Sequence, residues 1–98
     1  MRPDTLTWLA SWFVSQANGS WEHQYGIKIE SLDNPGWCVT IELGDTSLLS
    51  KPFEMIQRDL GESDWMTCRI VEGKFEGFGD SQRLTEIIEV FRDWVCTD

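Results

Sequence analysis

The chain has one histidine, no closely spaced cysteines, few bases and no long apolar run, and each scarcity narrows what it can do. Nucleophilic catalysis needs a nucleophile, a base and an orienting group in hydrogen-bond reach. Here an imidazole-based set would have to use His23, with Cys38 or Cys68 as thiol and Glu22 or Asp33 as orienter. Neither cysteine opens a helix, where a thiol is acidified, and Cys38 reads as a half-buried strand residue between Trp37 and Val39. Cys38, Cys68 and Cys96 lie roughly thirty residues apart with no Cys-x-x-Cys knuckle, so neither a metal site nor a disulfide framework is expected. Seventeen acids against eight bases give a formal net charge of −9. Such a charge repels phosphates and argues against nucleic acids and anionic membranes as partners. The apolar stretch Leu6 to Val14 is too short, and too interrupted by Thr7 and Ser11, to span a bilayer. No secretory signal is read, so the cytoplasm is the expected location, and Asn18-Gly19-Ser20 is taken as a turn despite its sequon form.

Two further chemistries lack support. Gly73, Gly77 and Gly79 precede the last helix as a phosphate-binding loop would, but no lysine follows them and Asp80 stands where an anion would sit. Turn formation and close backbone approach explain these glycines better. Seventeen acids permit many carboxylate pairs, yet nothing marks one pair as buried and split in pKa. The expectation is a non-enzyme with no cofactor.

What the chain does have is aromatic bulk and clear periodicity. Its 98 residues make one expected domain, 1–98. A chain this size hides roughly 60–65% of its unfolded surface, so the core is thin. Six tryptophans and five phenylalanines are one remedy, since each large aromatic can bury about 150–250 Å². Residues 4–17 place Leu6, Leu9, Trp12, Phe13 and Gln16 on one helical stripe, with Asp4 or Thr5 as N-cap and Asn18-Gly19 as the stop. Residues 24–32 and 37–43 alternate as two strands of a hairpin. Pro35 and Gly36 fit a type II turn between them, with positive φ at Gly36. A third strand is read over Phe53–Leu60, a fourth over Trp65–Val71 and a short fifth over Lys74–Phe78. Leu84, Ile87, Ile88, Phe91, Trp94 and Val95 form the stripe of a C-terminal helix capped by Asp80 or Ser81. Together these predict an α+β domain: an antiparallel meander of four to five strands, with N- and C-terminal helices packed on one face.

The stretch Trp21–Trp37, WEHQYGIKIESLDNPGW, combines tryptophan, histidine and proline at fixed spacing. It resembles the signature of the immunity protein 53 family, bacterial antidotes encoded beside polymorphic toxins. The likeness extends to Lys51-Pro52-Phe53, to Asp64-Trp65 and to Gly73-Lys74-Phe75-Glu76-Gly77 before the last helix. The resemblance implies an α+β antitoxin that neutralises a cognate toxin by non-covalent binding. It implies no defined binding residues.

Candidate contacts therefore come from the residues themselves. Trp21, Glu22, His23 and Tyr25 form either an anchor at the end of the core or an aromatic contact surface of the kind that dominates binding energy. The wet face of the hairpin, with Glu30 and Glu42, and the acidic turn around Asp59, Glu62 and Asp64 are two more candidate patches. Acidic patches would steer a basic partner toward the surface. The expected partner is a basic toxin domain, and the protein itself is expected to be a monomer or weak homodimer. The alternative is an adaptor module whose partner is not a toxin, and a small enzyme using His23 and a thiol is a third class.

Overall fold

The computed structural model describes residues 4–97. Helix α1 (Thr5–Gln16) begins at Asp4, whose Oδ1 accepts the Thr7 backbone N–H at 2.8 Å and whose Oδ2 accepts the Thr7 hydroxyl at 2.9 Å. Its buried stripe is Leu9 and Trp12, while Leu6 is exposed. After Gly19 (φ 90°) comes a single helical turn, α2 (Trp21–Gln24), so the first strand starts at Ile27 and not at Gln24 as the alternation predicts. The remaining elements are β1 (Ile27–Leu32), β2 (Gly36–Glu42), β3 (Ile56–Asp59), β4 (Trp65–Val71), β5 (Lys74–Asp80) and α3 (Leu84–Val95). All strand pairs are antiparallel.

The architecture is α+β, as the periodicity predicts, but the sheet is not a simple meander. Its order is β1-β2-β5-β4-β3, so the hairpin β1–β2 docks on the last strand of a β3–β4–β5 meander. The central slot needs a strand on which α3 can lie closely, and β5 supplies it. A Cβ at Gly77 would stand 2.3 Å from Cγ2 of Ile87, and one at Gly79 would stand 2.5 Å from Cβ of Arg83. Only glycine permits that approach. The short, polar β3 takes the edge instead, where few apolar neighbours are required.

The 43–55 connection carries the chain from β2 to that far edge, and the Lys51-Pro52-Phe53 segment pins it to α3. Lys51 Nζ donates to the carbonyls of Trp94 (2.6 Å) and Thr97, at the helix end that favours a cation. The Trp94 indole donates to the Pro52 carbonyl at 2.8 Å. Phe53 meets Phe75 and Trp94 edge-on, with centroids 5.7 and 5.4 Å apart.

Two local expectations are corrected. Gly36 does not have positive φ: it is the first residue of β2, opposite Leu32, and the loop is 33–35. Its lack of a side chain serves packing, since a Cβ there would lie 2.5 Å from the Gly79 carbonyl oxygen. Asp80 does not cap α3 directly. It ends β5 and accepts the Gln82 N–H at 2.9 Å, shaping the turn one step before the helix, whose N-cap position is Arg83.

The core lies between the sheet and the helices. Val39, Ile41, Met66, Cys68 and Phe75 point from the sheet toward Ile87, Ile88 and Phe91 of α3, all almost fully buried. Helix α1 packs on α3 through Trp8 and Trp12, whose rings meet Phe91 edge-on at 6.0 and 5.0 Å.

Candidate interaction surface

Strand alternation divides the sheet into two faces. Gly77 faces Ile87, so its same-face neighbours Val39 and Cys68 also face the helices. The alternate residues, among them Lys28, Thr40, Thr67, Arg69, Glu76 and Phe78, point the other way. Among the described residues neither long helix packs on that side, and only the single turn α2 borders it, through His23 and Gln24.

The bare face is a ridge between two depressions. The ridge is Arg69, whose Nε bonds Glu76 at 3.1 Å and whose guanidinium lies over the Phe78 ring at 5.7 Å. On the β1–β2 side lies a depression of about 540 Å³ that brings together His23, Tyr25, Glu30 and Glu42 with Lys28 and Lys74. On the β3–β4 side a second, of about 460 Å³, is lined by Gln57, Asp59, Glu62, Trp65 and Thr67. Trp65 and Glu62 also border a cleft of about 580 Å³ at the end of the sheet, with Pro35 and Ser81.

The candidate residues thus fall into three groups. His23, Tyr25, Glu30 and Glu42 share one depression, and Asp59 and Glu62 share another across the sheet. Trp21, Glu22 and Asp64 have structural partners. Trp21 is 2% exposed and packs edge-on against Trp12 (5.9 Å) and Phe13 (5.7 Å), with Tyr25 at 6.4 Å. It therefore holds Tyr25 in place from beneath and presents no surface of its own. Glu22 accepts the backbone N–H groups of Asn18 (3.0 Å) and Gly19 (2.9 Å), fastening the turn after α1. Hydrogen bonding to its own backbone N–H, then to these two, holds its pKa below the usual carboxylate value. Asp64 bonds Arg58 Nε at 3.1 Å.

Arg58 is the centre of an ion-pair group at the border of α3. Its two terminal nitrogens bond both oxygens of Glu86, at 2.9 and 3.0 Å, a bidentate geometry suited to guanidinium. Arg83 also bonds Glu86 at 2.9 Å and reaches Asp80 at 3.1 Å. The Arg58 hydrogen bonds, followed by those of Arg83, lower the Glu86 pKa despite partial burial. Asp80 is itself 2% exposed, and its burial opposes ionisation. Hydrogen bonds from the Gln82 and Trp65 N–H groups and from Arg83 outweigh that opposition and keep its pKa low.

Among the described residues, several acids stand without a cation beside them. Lys28, Arg58, Arg69, Arg83 and Arg92 each lie against a carboxylate. Glu42, Asp59 and Glu62 have no such cation within ion-pair distance among the described residues. Among those residues, no three of His, Cys, Asp and Glu gather as a metal ion would require. Burial, then the Glu86 charge, pushes the Cys68 thiol up to about 12, which leaves it protonated at neutral pH. Among the described residues no helix is long and apolar enough to cross a membrane.

The sequence reading singled out the hairpin's wet side but missed Trp65, Thr67, Arg69 and Phe78, which complete the same surface. Their alternation was visible; that β5 lies beside β2, which joins the two halves into one face, was not. Neither the curated proteins nor the solved structures compared with this chain include a match. The family model described as immunity protein 53 matches residues 6–96, and the chain belongs to that family.

Proposed function

We propose that the protein is an antitoxin that binds a cognate toxin domain non-covalently through the bare face of its sheet. The observation that carries this reading is membership of a family of immunity proteins combined with a five-stranded face on which, among the described residues, neither long helix packs. Half-buried aromatics (Tyr25, Trp65, Phe78) supply apolar contact there, and Glu42, Asp59 and Glu62, which meet no cation among the described residues, supply negative charge around them. That combination fits a partner with a basic surface, because aromatics dominate contact energy while charge sets approach and orientation. Neutralisation requires no turnover: the toxin's active site is masked or its inactive state is held. The cytoplasm, where a toxin made by the same cell would have to be neutralised, is the location this role requires.

Calorimetry against the toxin domain encoded beside this chain tests the proposal, together with Phe78→Ala and Trp65→Ala. Tight one-to-one binding, weakened by both variants and by rising salt, is the expected result. Absence of binding to that domain overturns the antitoxin role. Binding that both variants leave intact moves the contact off this face.

A further inference from the structure

Beyond the toxin-facing surface, we infer that the outer edge of β1 is a docking site for a second copy of the same chain, paired antiparallel about a two-fold axis through Ile29. The direction of the backbone groups sets what this edge can bond. The Glu42 N–H donates to the Gly26 carbonyl, and Gly26 lies opposite Glu42 in the β1–β2 register. In an antiparallel ladder, residues alternate between bonding the neighbour and pointing away. Lys28, Glu30 and Leu32 therefore bond β2, while Ile27, Ile29 and Ser31 aim their N–H and C=O groups outward. Among the described residues no strand pairs with that edge.

An edge of this kind normally carries a device against pairing, such as proline, a bulge, extreme shortness, a cover or charged side chains; of these β1 has only Lys28 and Glu30, opposite in sign and two residues apart. β1 has six residues, no proline, and a pairing with β2 that runs without a break from Ile27 to Leu32. Ile29 is 40% exposed at its centre, an isoleucine placed where a lysine would protect.

Charge then selects the partner and the register. Outward-pointing residues must pair with outward-pointing residues, so only registers that match 27, 29 and 31 among themselves are allowed. With Ile29 opposite its own copy, Lys28 faces Glu30 of the other chain and Glu30 faces its Lys28. Moving the axis one residue toward the N-terminus sets Lys28 against Lys28, and moving it the other way sets Glu30 against Glu30. Like charges directly opposite destabilise a strand pair, whereas opposite charges stabilise it. The central register also brings the two Ile29 side chains together and forms bonded pairs at 29–29, 27–31 and 31–27. A two-fold contact of this kind is self-complementary by construction, and β1 meets that condition with its own sequence. The net charge of −9 on each copy opposes the contact and keeps it weak.

Sedimentation of the toxin-free protein over concentrations up to the millimolar range tests the inference. A reversible monomer–dimer equilibrium is expected. Lys28→Glu and Glu30→Lys, both at exposed positions, should each weaken it about tenfold or more, by replacing two attractive cross-strand pairs with two repulsive ones. The double variant K28E/E30K should restore the dimer, and an equimolar mixture of the two single variants should associate better than either alone. Ser31→Pro removes an outward N–H without touching the β1–β2 ladder and should abolish dimerisation. A chain that stays monomeric throughout overturns the inference, as does a dimer indifferent to these variants or a double variant that fails to recover. A monomer whose toxin affinity falls with Ser31→Pro also overturns it, because the edge would then receive a toxin strand.

Discussion

On the helix side of the sheet, Gly77 and Gly79 meet α3 at distances that leave no room for another carbon and Phe75 packs on Phe91; on the other side, Phe78 and Glu76 of the same strand meet Arg69. The two sets alternate along one seven-residue strand, so the difference does not arise from local propensity. It arises from what each set faces. Side chains on the covered side are chosen by volume, because a packed interior responds to a single methyl group. Those on the bare side are chosen by charge and reach, and they remain available for a partner.

The most severe way to break this contrast is at Phe91. It is fully buried and its ring meets those of Trp8, Trp12, Phe75 and Trp94, joining both helices to the sheet. Phe91→Ala is expected to cost about 3–5 kcal/mol in denaturant unfolding. Phe78→Ala, an aromatic deletion on the opposite face, should cost clearly less, and equal losses would mean that the bare face is a second core.

A finer test adds rather than removes. Gly77→Ala places a methyl 2.3 Å from Ile87 Cγ2 and should destabilise by about 1–3 kcal/mol through overpacking. Combining it with Ile87→Ala should cost less than the sum of the two single changes, since neighbours that share space are not additive. Thr67→Val, across the sheet, should have little effect on unfolding. Additive losses at 77 and 87 would show that the glycine serves the strand and not the helix contact.

Much of this contrast was legible in the sequence, and its limits are physical. The α3 stripe from Leu84 to Val95 repeats at helical spacing over three turns, so its buried face could be read directly. The hairpin alternation placed Glu30 and Glu42 on the wet side, where they lie. Strand order was not legible, because the reason β5 is central is a steric fit between Gly77 and Ile87, ten residues apart, that no periodicity encodes. The Trp21-Glu22-His23 cluster was ambiguous for a related reason. A single helical turn is too short to establish a period, and only the surrounding Trp12, Phe13 and Tyr25 rings decide that Trp21 is interior. Asp59 and Glu30 looked equivalent as acids, yet the fold sets them at opposite edges.

The border between the faces is expected to respond to pH. Asp80 and Glu86 have ordinary values of 3.8 and 4.5, and both are lowered in the folded protein. For Asp80, burial works in the opposite direction and is outweighed by the hydrogen bonds; for Glu86, the Arg58 hydrogen bond is the largest cause. A carboxylate depressed in this way contributes stability above its unfolded pKa and loses it as pH falls through its folded pKa. The melting temperature should therefore drop as pH falls below about 4. Asp80→Asn should be less stable at neutral pH and show a shallower acid slope. An unchanged slope would assign the acid sensitivity to other carboxylates.

The smallest effect on stability should coincide with a measurable effect on binding. Glu42→Gln and Asp59→Asn remove charges that have no cationic partner among the described residues, so unfolding should shift by no more than about 0.5 kcal/mol. If the bare face meets a basic toxin, the same changes should slow association and flatten its salt dependence while leaving dissociation nearly constant, as charges at an interface rim do. Stopped-flow association at two salt concentrations separates the possibilities. Equal slowing by both variants would require a partner that spans the Arg69 ridge and reaches both depressions. Slowing by Glu42→Gln alone would confine the contact to the hairpin side, where His23 and Tyr25 lie, and would leave the β3–β4 half of the face as solvated surface.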